Sequence, residues 1–289
     1  MNFFEMQSRL QFKNADVFII GHSILNLPIY AISFNFNACN TFIISASIHA
    51  RENITTNLAL LIAKRLDYHY VKLKNDKSMP NLVIIPMANP DGVSVCYNQV
   101  KYINSYWNNK VMRLCCNQSC KLFKANIRGV DLNNNFNAKF NTDPALKRKP
   151  STSGFAGYFY ESEPESRAVA RLIRKIKPAF TISLHSKGEE IYYDFYLSAR
   201  AKKRHKKVAK IFSKMLHYEL VDKPTLSCGG VKDYCVNVLK MPSITIEVGP
   251  DCLTHPINEI NLQELAVRFK DFEGALKLAN EAIIANKKR

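Results

Sequence analysis

The chain has 289 residues, of which 47% are hydrophobic, and this is enough to bury the core of a single α/β domain. It carries 41 Lys and Arg residues against 24 Asp and Glu residues, and the net charge of +17 favours an anionic partner. The basic residues form three separate clusters rather than one stripe, so we do not expect that partner to be nucleic acid. No segment approaches the roughly 20 apolar residues of a membrane-spanning helix, and we expect no membrane span.

Two further observations bear on the compartment and on the thiols. Charged residues at positions 5, 9 and 13 interrupt the first apolar segment, which therefore differs from a signal peptide. We expect a cytoplasmic protein, with a periplasmic or secreted location left open. Cys115, Cys116 and Cys120 lie close together, but no His is nearby and no second cluster completes a metal site. We therefore expect reduced structural thiols.

Hydrophobic patterning predicts strands that alternate with helices after an irregular start. The expected strands cover residues 29–36, 41–48, 179–186, 190–197 and 242–249, with a further strand and a turn within residues 81–92. The expected helices cover residues 52–70, 161–177, 202–218 and 262–286, and residues 93–150 are expected to be irregular. The alternation predicts an α/β fold with a mixed, mostly parallel twisted sheet and helices on both faces. We expect one catalytic domain over residues 1–289, with its core at about 15–285.

Three polar residues, His49, Arg51 and Glu52, lie where the strand 41–48 ends and a helix begins. His49 and Glu52 are three residues apart across the first helical turn, so an imidazole and a carboxylate can converge on one metal ion. His185 ends the apolar segment AFTISLH, just as His49 ends TFIISASIH. Because the carboxyl ends of parallel strands share one edge of a sheet, we expect His185 to supply the third ligand. Arg51 is expected to point away and to pair locally.

Glu247 ends another apolar strand, in the segment PSITIEVG. A carboxylate in such a run needs a partner or a chemical role. Beside a zinc ion, it can take a proton from water and pass it to a leaving amine. The alternative is an ion pair with one of the many Lys or Arg residues.

Six segments in order resemble the motifs of the zinc carboxypeptidase family of metallopeptidases over nearly the whole chain: IHARE, NPDG, RGVDLNNNF, SLHSKGEEIYY, GGVKDY and TIEVG. The opening segment IIGHSILNLPIYAISF also resembles the start of catalytic domains in that family. The resemblance is greatest to the bacterial branch that cleaves γ-D-glutamyl-diaminopimelate bonds of cell-wall peptides. It implies a zinc carboxypeptidase-like fold and one Zn²⁺ per chain.

The same resemblance implies a role for each matching residue. His49, Glu52 and His185 match the zinc ligands, in agreement with their places at the strand ends. Glu247 matches the general base and acid. The family also uses a cation to stabilise the oxyanion, and Lys124 takes that place by its register before GVDLN.

Arg128, four residues after Lys124, is a second candidate for the oxyanion role. Asn133 matches the Asn of the Asn-Arg pair that binds the terminal carboxylate of substrates in this family. The chain departs from the family at the next position, where Asn134 replaces Arg. A neutral amide cannot replace a bidentate guanidinium, so this departure puts ordinary carboxypeptidase activity in doubt.

Three other positions concern the substrate. Lys232 falls where the family reads the substrate side chain, and a cation there suits an acidic group such as the extra carboxylate of diaminopimelate. The alternative for Lys232 is a solvated surface lysine. Tyr192 follows the third ligand and is expected to line the pocket or to pack in the core. Thr225 stands where digestive members of the family carry a mobile Tyr.

The remaining polar residues are given smaller roles. Asp91 is expected to form the turn in NPDG. The alternative role for Asp91 is to orient a zinc-bound His, and Asp131 is a second candidate for that role. The residues expected at the surface are His205, His217 and His255.

These observations predict a zinc-dependent metallopeptidase whose substrate is a short peptide, specifically a cell-wall stem peptide with a γ-D-glutamyl-diaminopimelate bond. One alternative is a zinc amidohydrolase, or deacylase, of small N-acyl amino acids. Another is an inactive zinc-binding protein with anionic partners.

Overall fold

One eight-stranded sheet forms the centre of the computed structural model, which describes residues 1–97, 104–222 and 227–287. The order of strands across the sheet is β1-β2-β4-β3-β5-β8-β6-β7. The strands are β1 (Asp16–His22), β2 (Pro28–Phe34), β3 (Thr41–Ser45), β4 (Asn81–Ile85), β5 (Phe180–His185), β6 (Glu190–Tyr192), β7 (Glu219–Val221) and β8 (Ser243–Glu247).

The four central strands are parallel to one another. β3 pairs with β4 and β5, and β5 pairs with β8. Antiparallel pairing joins β2 to β1 and β4, and joins β6 to β8, whereas β6 and β7 are parallel. The mixed, mostly parallel sheet expected from the sequence is confirmed.

Helices cover both faces of this sheet. They are α1 (Phe3–Ser8), α2 (Ile54–Leu73), α3 (Pro90–Cys96), α4 (Ser105–Leu114), α5 (Pro164–Ile176), α6 (Ala199–Leu216), α7 (Val231–Asp233), α8 (Leu262–Arg268) and α9 (Phe272–Lys287). On one face, α2, α6 and α9 share a core with Phe42 and Ile44 of β3, whereas Ile43 packs with α5 on the other. Successive side chains of a strand point to opposite faces, so a strand buried on both sides is a continuous apolar run.

Several elements differ from those expected. The start of the chain forms α1 and β1, and NPDG begins α3, because the Asn89 side chain caps this helix and Pro90 occupies its first turn. Residues 93–150 contain α4, which Asn104 caps in the same way. The expected final helix is divided into α8 and α9. Thr225 lies outside the described residues.

Cys115 and Cys120 form a disulfide in the loop that follows α4. Their Cα atoms are 5.7 Å apart, a separation that suits a disulfide. The expectation of reduced thiols is therefore wrong for this pair, because the loop returns Cys120 to the end of α4. Within the described residues, no helix has both the length and the apolar character needed to cross a bilayer.

A buried acidic residue lies in the first turn of α5. Asn126 Nδ2 donates to Glu165 Oε2 at 3.3 Å and to Glu163 Oε2 at 2.8 Å, while Glu165 Oε1 has no hydrogen-bond partner among the described residues. Burial raises the pKa of Glu165 to about 8, and the charge of Asp91 adds to the increase. Glu165 is therefore mainly protonated at neutral pH.

This protonation makes stability depend on pH. Between pH 4.5 and about 8, folded Glu165 keeps a proton that the unfolded chain has released, so the free energy of unfolding falls as the pH rises. Glu165→Gln lacks this titration. We expect its free energy of unfolding to increase relative to wild type across that window, as measured by urea denaturation at a series of pH values.

Glu281→Gln is the matched control, because Glu281 is an exposed carboxylate on α9. This variant should follow the wild-type pH dependence. A difference between Glu165→Gln and wild type that stays constant across the window would contradict the prediction.

Candidate active site

The candidate site lies at the edge of the sheet where β3, β5 and β8 end. His185 and Glu247 are the last residues of β5 and β8, and they are partners in the parallel register. His49 follows β3 by four residues, and the single 3-10 turn Ala50–Glu52 directs Glu52 back towards it. Because β5 lies between β3 and β8, the order of the strands brings their carboxyl ends together.

Three donor groups converge at this edge. His49 Nδ1 lies 2.9 Å from Glu52 Oε1, and His185 Nδ1 lies 3.1 Å from Glu52 Oε2. The two Nδ1 atoms are 3.1 Å apart. Ligand atoms of a tetrahedral zinc ion lie roughly 3.3 Å from one another. The three side chains therefore fit one Zn²⁺, and within the described residues they form the one such group of His, Cys, Asp or Glu.

The second nitrogen of each imidazole contacts another polar group. His49 Nε2 lies 3.2 Å from Asp131 Oδ1, and His185 Nε2 lies 2.9 Å from Ser183 Oγ. Such contacts hold the ring so that the other nitrogen faces the metal. Burial opposes ionisation of Glu52, but the two histidines hold its pKa well below the usual value. The donor set is thus two imidazoles and one anionic carboxylate.

Glu247 lies beside the three ligands. Burial raises its pKa to about 7, against the opposing effect of His185, and the charge of Glu52 adds to the increase. A carboxyl group with a pKa near neutrality can both accept and donate a proton under ordinary conditions. Its position and acidity therefore suit proton transfer.

Of the two candidate cations, the structure brings Lys124 to the site. Lys124 Nζ lies 3.6 Å from Asp131 Oδ2, and the Asp131 charge raises the lysine pKa, although burial opposes this. The charge of Glu247 also acts on Lys124. Arg128 is half-exposed and its Nη1 lies 3.7 Å from Glu163 Oε2. Lys124 therefore keeps its positive charge near the ligands, whereas Arg128 pairs with a different carboxylate.

A pocket of about 220 Å³ lies beside Glu247. Its walls include three of the predicted substrate-binding residues, Asn133, Tyr192 and Lys232. Asn133 Oδ1 accepts a hydrogen bond from Val231 N at 3.1 Å. This contact leaves the Asn133 amide group, a donor, available to a ligand.

Lys232 is buried in the wall of this pocket, and the alternative of a solvated surface lysine is wrong. Its Nζ donates to the Asp194 carbonyl oxygen at 2.9 Å and to the Asp233 carboxylate. The ammonium also lies 5.3 Å from the centre of the Phe195 ring. An ammonium has three N–H donors, so one remains for a ligand.

Asn134 does not belong to the set of residues that line the pocket. Its Nδ2 donates to the Cys228 carbonyl oxygen at 2.8 Å, which joins two loops. Gly229 has a φ of +76°, in the left-handed region that favours glycine, and a Cβ there would lie 2.4 Å from the Asn134 carbonyl oxygen. The structure thus separates Asn134 from the other predicted substrate-binding residues.

Two residues near the site were expected elsewhere. Arg51 Nε is buried with no hydrogen-bond partner among the described residues, so the expected local pairing is wrong. His255 is half-buried, and its Nε2 lies 3.0 Å from the carbonyl oxygen of Ser186, the residue after His185. Burial lowers the pKa of His255, and the charge of Arg51 adds to this effect. No local sequence pattern indicated this position of His255, because a loop brings it to the site.

Three other residues with expected roles lie away from the site. Asp91 accepts hydrogen bonds from Ser23 Oγ at 2.6 Å and Leu25 N at 2.9 Å, so it holds the segment before β2 rather than a zinc ligand. His205 is buried rather than at the surface, because it lies on the inner face of α6. His217 is exposed, as expected.

Comparison with known proteins gives matches along most of the chain. Residues 7–263 match the zinc carboxypeptidase family. The chain is 31% identical over 257 residues to gamma-D-glutamyl-L-diamino acid endopeptidase 1 of Lysinibacillus sphaericus, covering 84% of this chain and 62% of that protein. It is 26% identical over 252 residues to human carboxypeptidase B2, covering 79% of this chain and 56% of that protein. The chain therefore spans less than two thirds of the length of these relatives.

Solved structures show the same fold. Bovine thrombin-activatable fibrinolysis inhibitor, in complex with tick carboxypeptidase inhibitor, matches with a TM-score of 0.73 and 21% identity, over 98% of this chain and 94% of that one. Carboxypeptidase A from Helicoverpa armigera matches with a TM-score of 0.75 and 20% identity, over 100% and 75% of the two chains. A murein-tripeptide amidase from Escherichia coli O157 matches with a TM-score of 0.56 and 20% identity, over 95% of each chain.

Removal of one ligand tests the metal site. We expect His185→Ala to lose zinc, because two of the three donor groups remain and neither can replace the missing imidazole. Zinc content after dialysis, measured by atomic absorption, checks this expectation. His22→Ala, a change at an exposed histidine at the end of β1, should keep the wild-type content. Stoichiometric zinc in folded His185→Ala would refute the assignment.

Proposed function

We propose a function for this chain from one premise: it belongs to the zinc carboxypeptidase family. It is a zinc metallopeptidase, and we propose that it hydrolyses the γ-D-glutamyl-diaminopimelate bond of short cell-wall stem peptides. The observation that carries this proposal is the buried ammonium of Lys232 in the pocket beside Glu247. The relative with 31% identity, a gamma-D-glutamyl-L-diamino acid endopeptidase, supports it.

Each group of residues in the site has its own role in hydrolysis. His49, Glu52 and His185 would hold Zn²⁺, and the bound ion would supply Lewis-acid polarisation of the scissile carbonyl and a more acidic water. Glu247 takes a proton from the attacking water and delivers it to the leaving amine. Lys124 stabilises the negative charge that develops on the carbonyl oxygen, an effect of about 3 kcal/mol for a well-placed donor.

Two side chains support the proposed choice of substrate. The free N–H donor of Lys232 can bind the extra carboxylate of diaminopimelate, and a charge-assisted hydrogen bond of this kind is stronger than a neutral one. Asn134 is neutral, so ordinary peptides find no guanidinium for their terminal carboxylate at this position. The net charge of +17 also favours an anionic stem peptide.

Two other functions are outcomes of the same test. A zinc deacylase of small N-acyl amino acids can use the same ligands, so such compounds belong in the assay. An inactive zinc-binding protein is disfavoured, because the charges of Glu52 and Lys124 act on Glu247, and those of Glu52 and Glu247 act on Lys124.

The first experiment measures cleavage directly. Zinc-loaded protein is incubated with tripeptide and tetrapeptide stems and with N-acetyl amino acids, and the products are identified by mass spectrometry. We expect cleavage between D-Glu and diaminopimelate by wild type. Glu247→Gln should keep its zinc and lose this activity by at least about 100-fold, because the amide cannot accept the proton.

Each alternative result has a defined meaning. Cleavage of N-acetyl amino acids alone would replace the proposed peptidase with a deacylase. Zinc binding without cleavage of any of these compounds would refute the proposed substrate. Activity of Glu247→Gln equal to wild type would refute the role of Glu247.

A second variant tests how the substrate is read. We expect Lys232→Met to reduce kcat/KM for a diaminopimelate stem by about tenfold or more, because the carboxylate loses its charged donor. A stem with L-Lys lacks that carboxylate, so its kcat/KM should change much less. Lys64→Met, at an exposed position on α2, is the matched control. Equal losses for both stems would contradict a role for Lys232 in selection.

A further inference from the structure

A second pocket lies at the opposite edge of the sheet, where β3, β5 and β8 begin. It has a volume of about 420 Å³, and its walls include Thr41, Ala179 and Pro242, which stand at or just before the first residues of these strands. The six residues of β5 separate this edge from His185 by roughly 20 Å, at about 3.3 Å per residue. The second pocket is therefore remote from the catalytic site.

Unpaired cations border this pocket. Lys177, Arg204 and Lys240 line it, and no Asp or Glu is among its lining residues. Across the part of the chain that the structure describes, none of these three side chains has an ion-pair partner. Lys202 and Lys206, on the same helix as Arg204, both pair with Asp222, which does not line the pocket.

The interior of the pocket combines apolar walls with one buried polar group. Val208 and Ile283 are buried and form part of the walls. His205 also lines the pocket, and its buried Nδ1 has no hydrogen-bond partner among the described residues. Buried polar atoms are almost always paired, so an unpaired imidazole nitrogen marks a position that a ligand can satisfy.

We propose that this pocket binds a small organic anion. Its carboxylate or phosphate group lies among Lys177, Arg204 and Lys240, and its apolar body packs against Val208 and Ile283. The volume of about 420 Å³ falls within the usual range for small-molecule sites, about 300–1,000 Å³. This site is independent of the proposed peptidase function, because its lining includes no zinc ligand and shares no residue with the catalytic pocket.

The test uses zinc-loaded protein and two probes, 4-bromophenyl phosphate and inorganic phosphate. Calorimetry is performed on wild type, on the double variant Arg204→Gln/Lys240→Gln, and on the matched double variant Lys203→Gln/Lys207→Gln. The control changes two exposed lysines of α6 that do not line the pocket. We expect the first double variant to lose about tenfold or more in affinity for 4-bromophenyl phosphate, and the control to bind like wild type.

Crystals soaked in 4-bromophenyl phosphate then locate the bromine by anomalous scattering. A bromine peak between Val208 and Ile283 would support the proposal, whereas a peak at the zinc site alone would overturn it. Equal affinity of the first double variant and wild type would overturn it as well. Equal affinity for inorganic phosphate and the aryl phosphate would overturn the apolar part of the proposal. Zinc content measured in each variant separates these results from a failure of the peptidase site.

Discussion

The buried convergence of two imidazoles and one carboxylate is the constraint on which the rest of the structure depends. The donor atoms of His49, Glu52 and His185 lie about 3 Å apart. A carboxylate buried in this way needs opposite charge nearby, and a cation held by all three groups would supply it. The position of β5 between β3 and β8, and the turn Ala50–Glu52, hold them together. The sheet thus provides the rigid edge that a metal site requires.

Asp131 connects the candidate metal site to Lys124. One of its oxygens lies 3.2 Å from His49 Nε2, and the other lies 3.6 Å from Lys124 Nζ and accepts a hydrogen bond from Gly154 N at 3.0 Å. Burial opposes ionisation of Asp131, but Lys124 and His49 lower its pKa below the usual range. A buried carboxylate is tolerable when it is paired with a cation and hydrogen-bonded, as Asp131 Oδ2 is with Lys124 and Gly154 N. One side chain therefore orients a zinc ligand and positions Lys124, which explains why Lys124, rather than Arg128, faces the site.

The parts of the fold predicted from the sequence are those with strong local signals. Strands buried on both faces are continuous apolar runs, so the strand ends at His185 and Glu247 could be found, and their shared edge followed from parallel pairing. β1 was missed because it lies at the edge of the sheet with mixed burial, and α4 because few of its residues are buried. The positions of Arg51 and His255 could not be predicted, since they depend on how distant loops pack. The same holds for the choice between Lys124 and Arg128.

Asn134 and Lys232, two of the predicted substrate-binding residues, belong to one local arrangement. Asn134 donates to the Cys228 carbonyl oxygen, and Gly229 approaches Asn134 so closely that a side chain at Gly229 would collide with it. Asn133 accepts from the backbone N–H of Val231, immediately before Lys232. The Asn pair thus holds the loop that carries Lys232 into the pocket wall. A positive charge therefore lies in the pocket wall at Lys232, while Asn134 helps to hold the loop that carries this lysine.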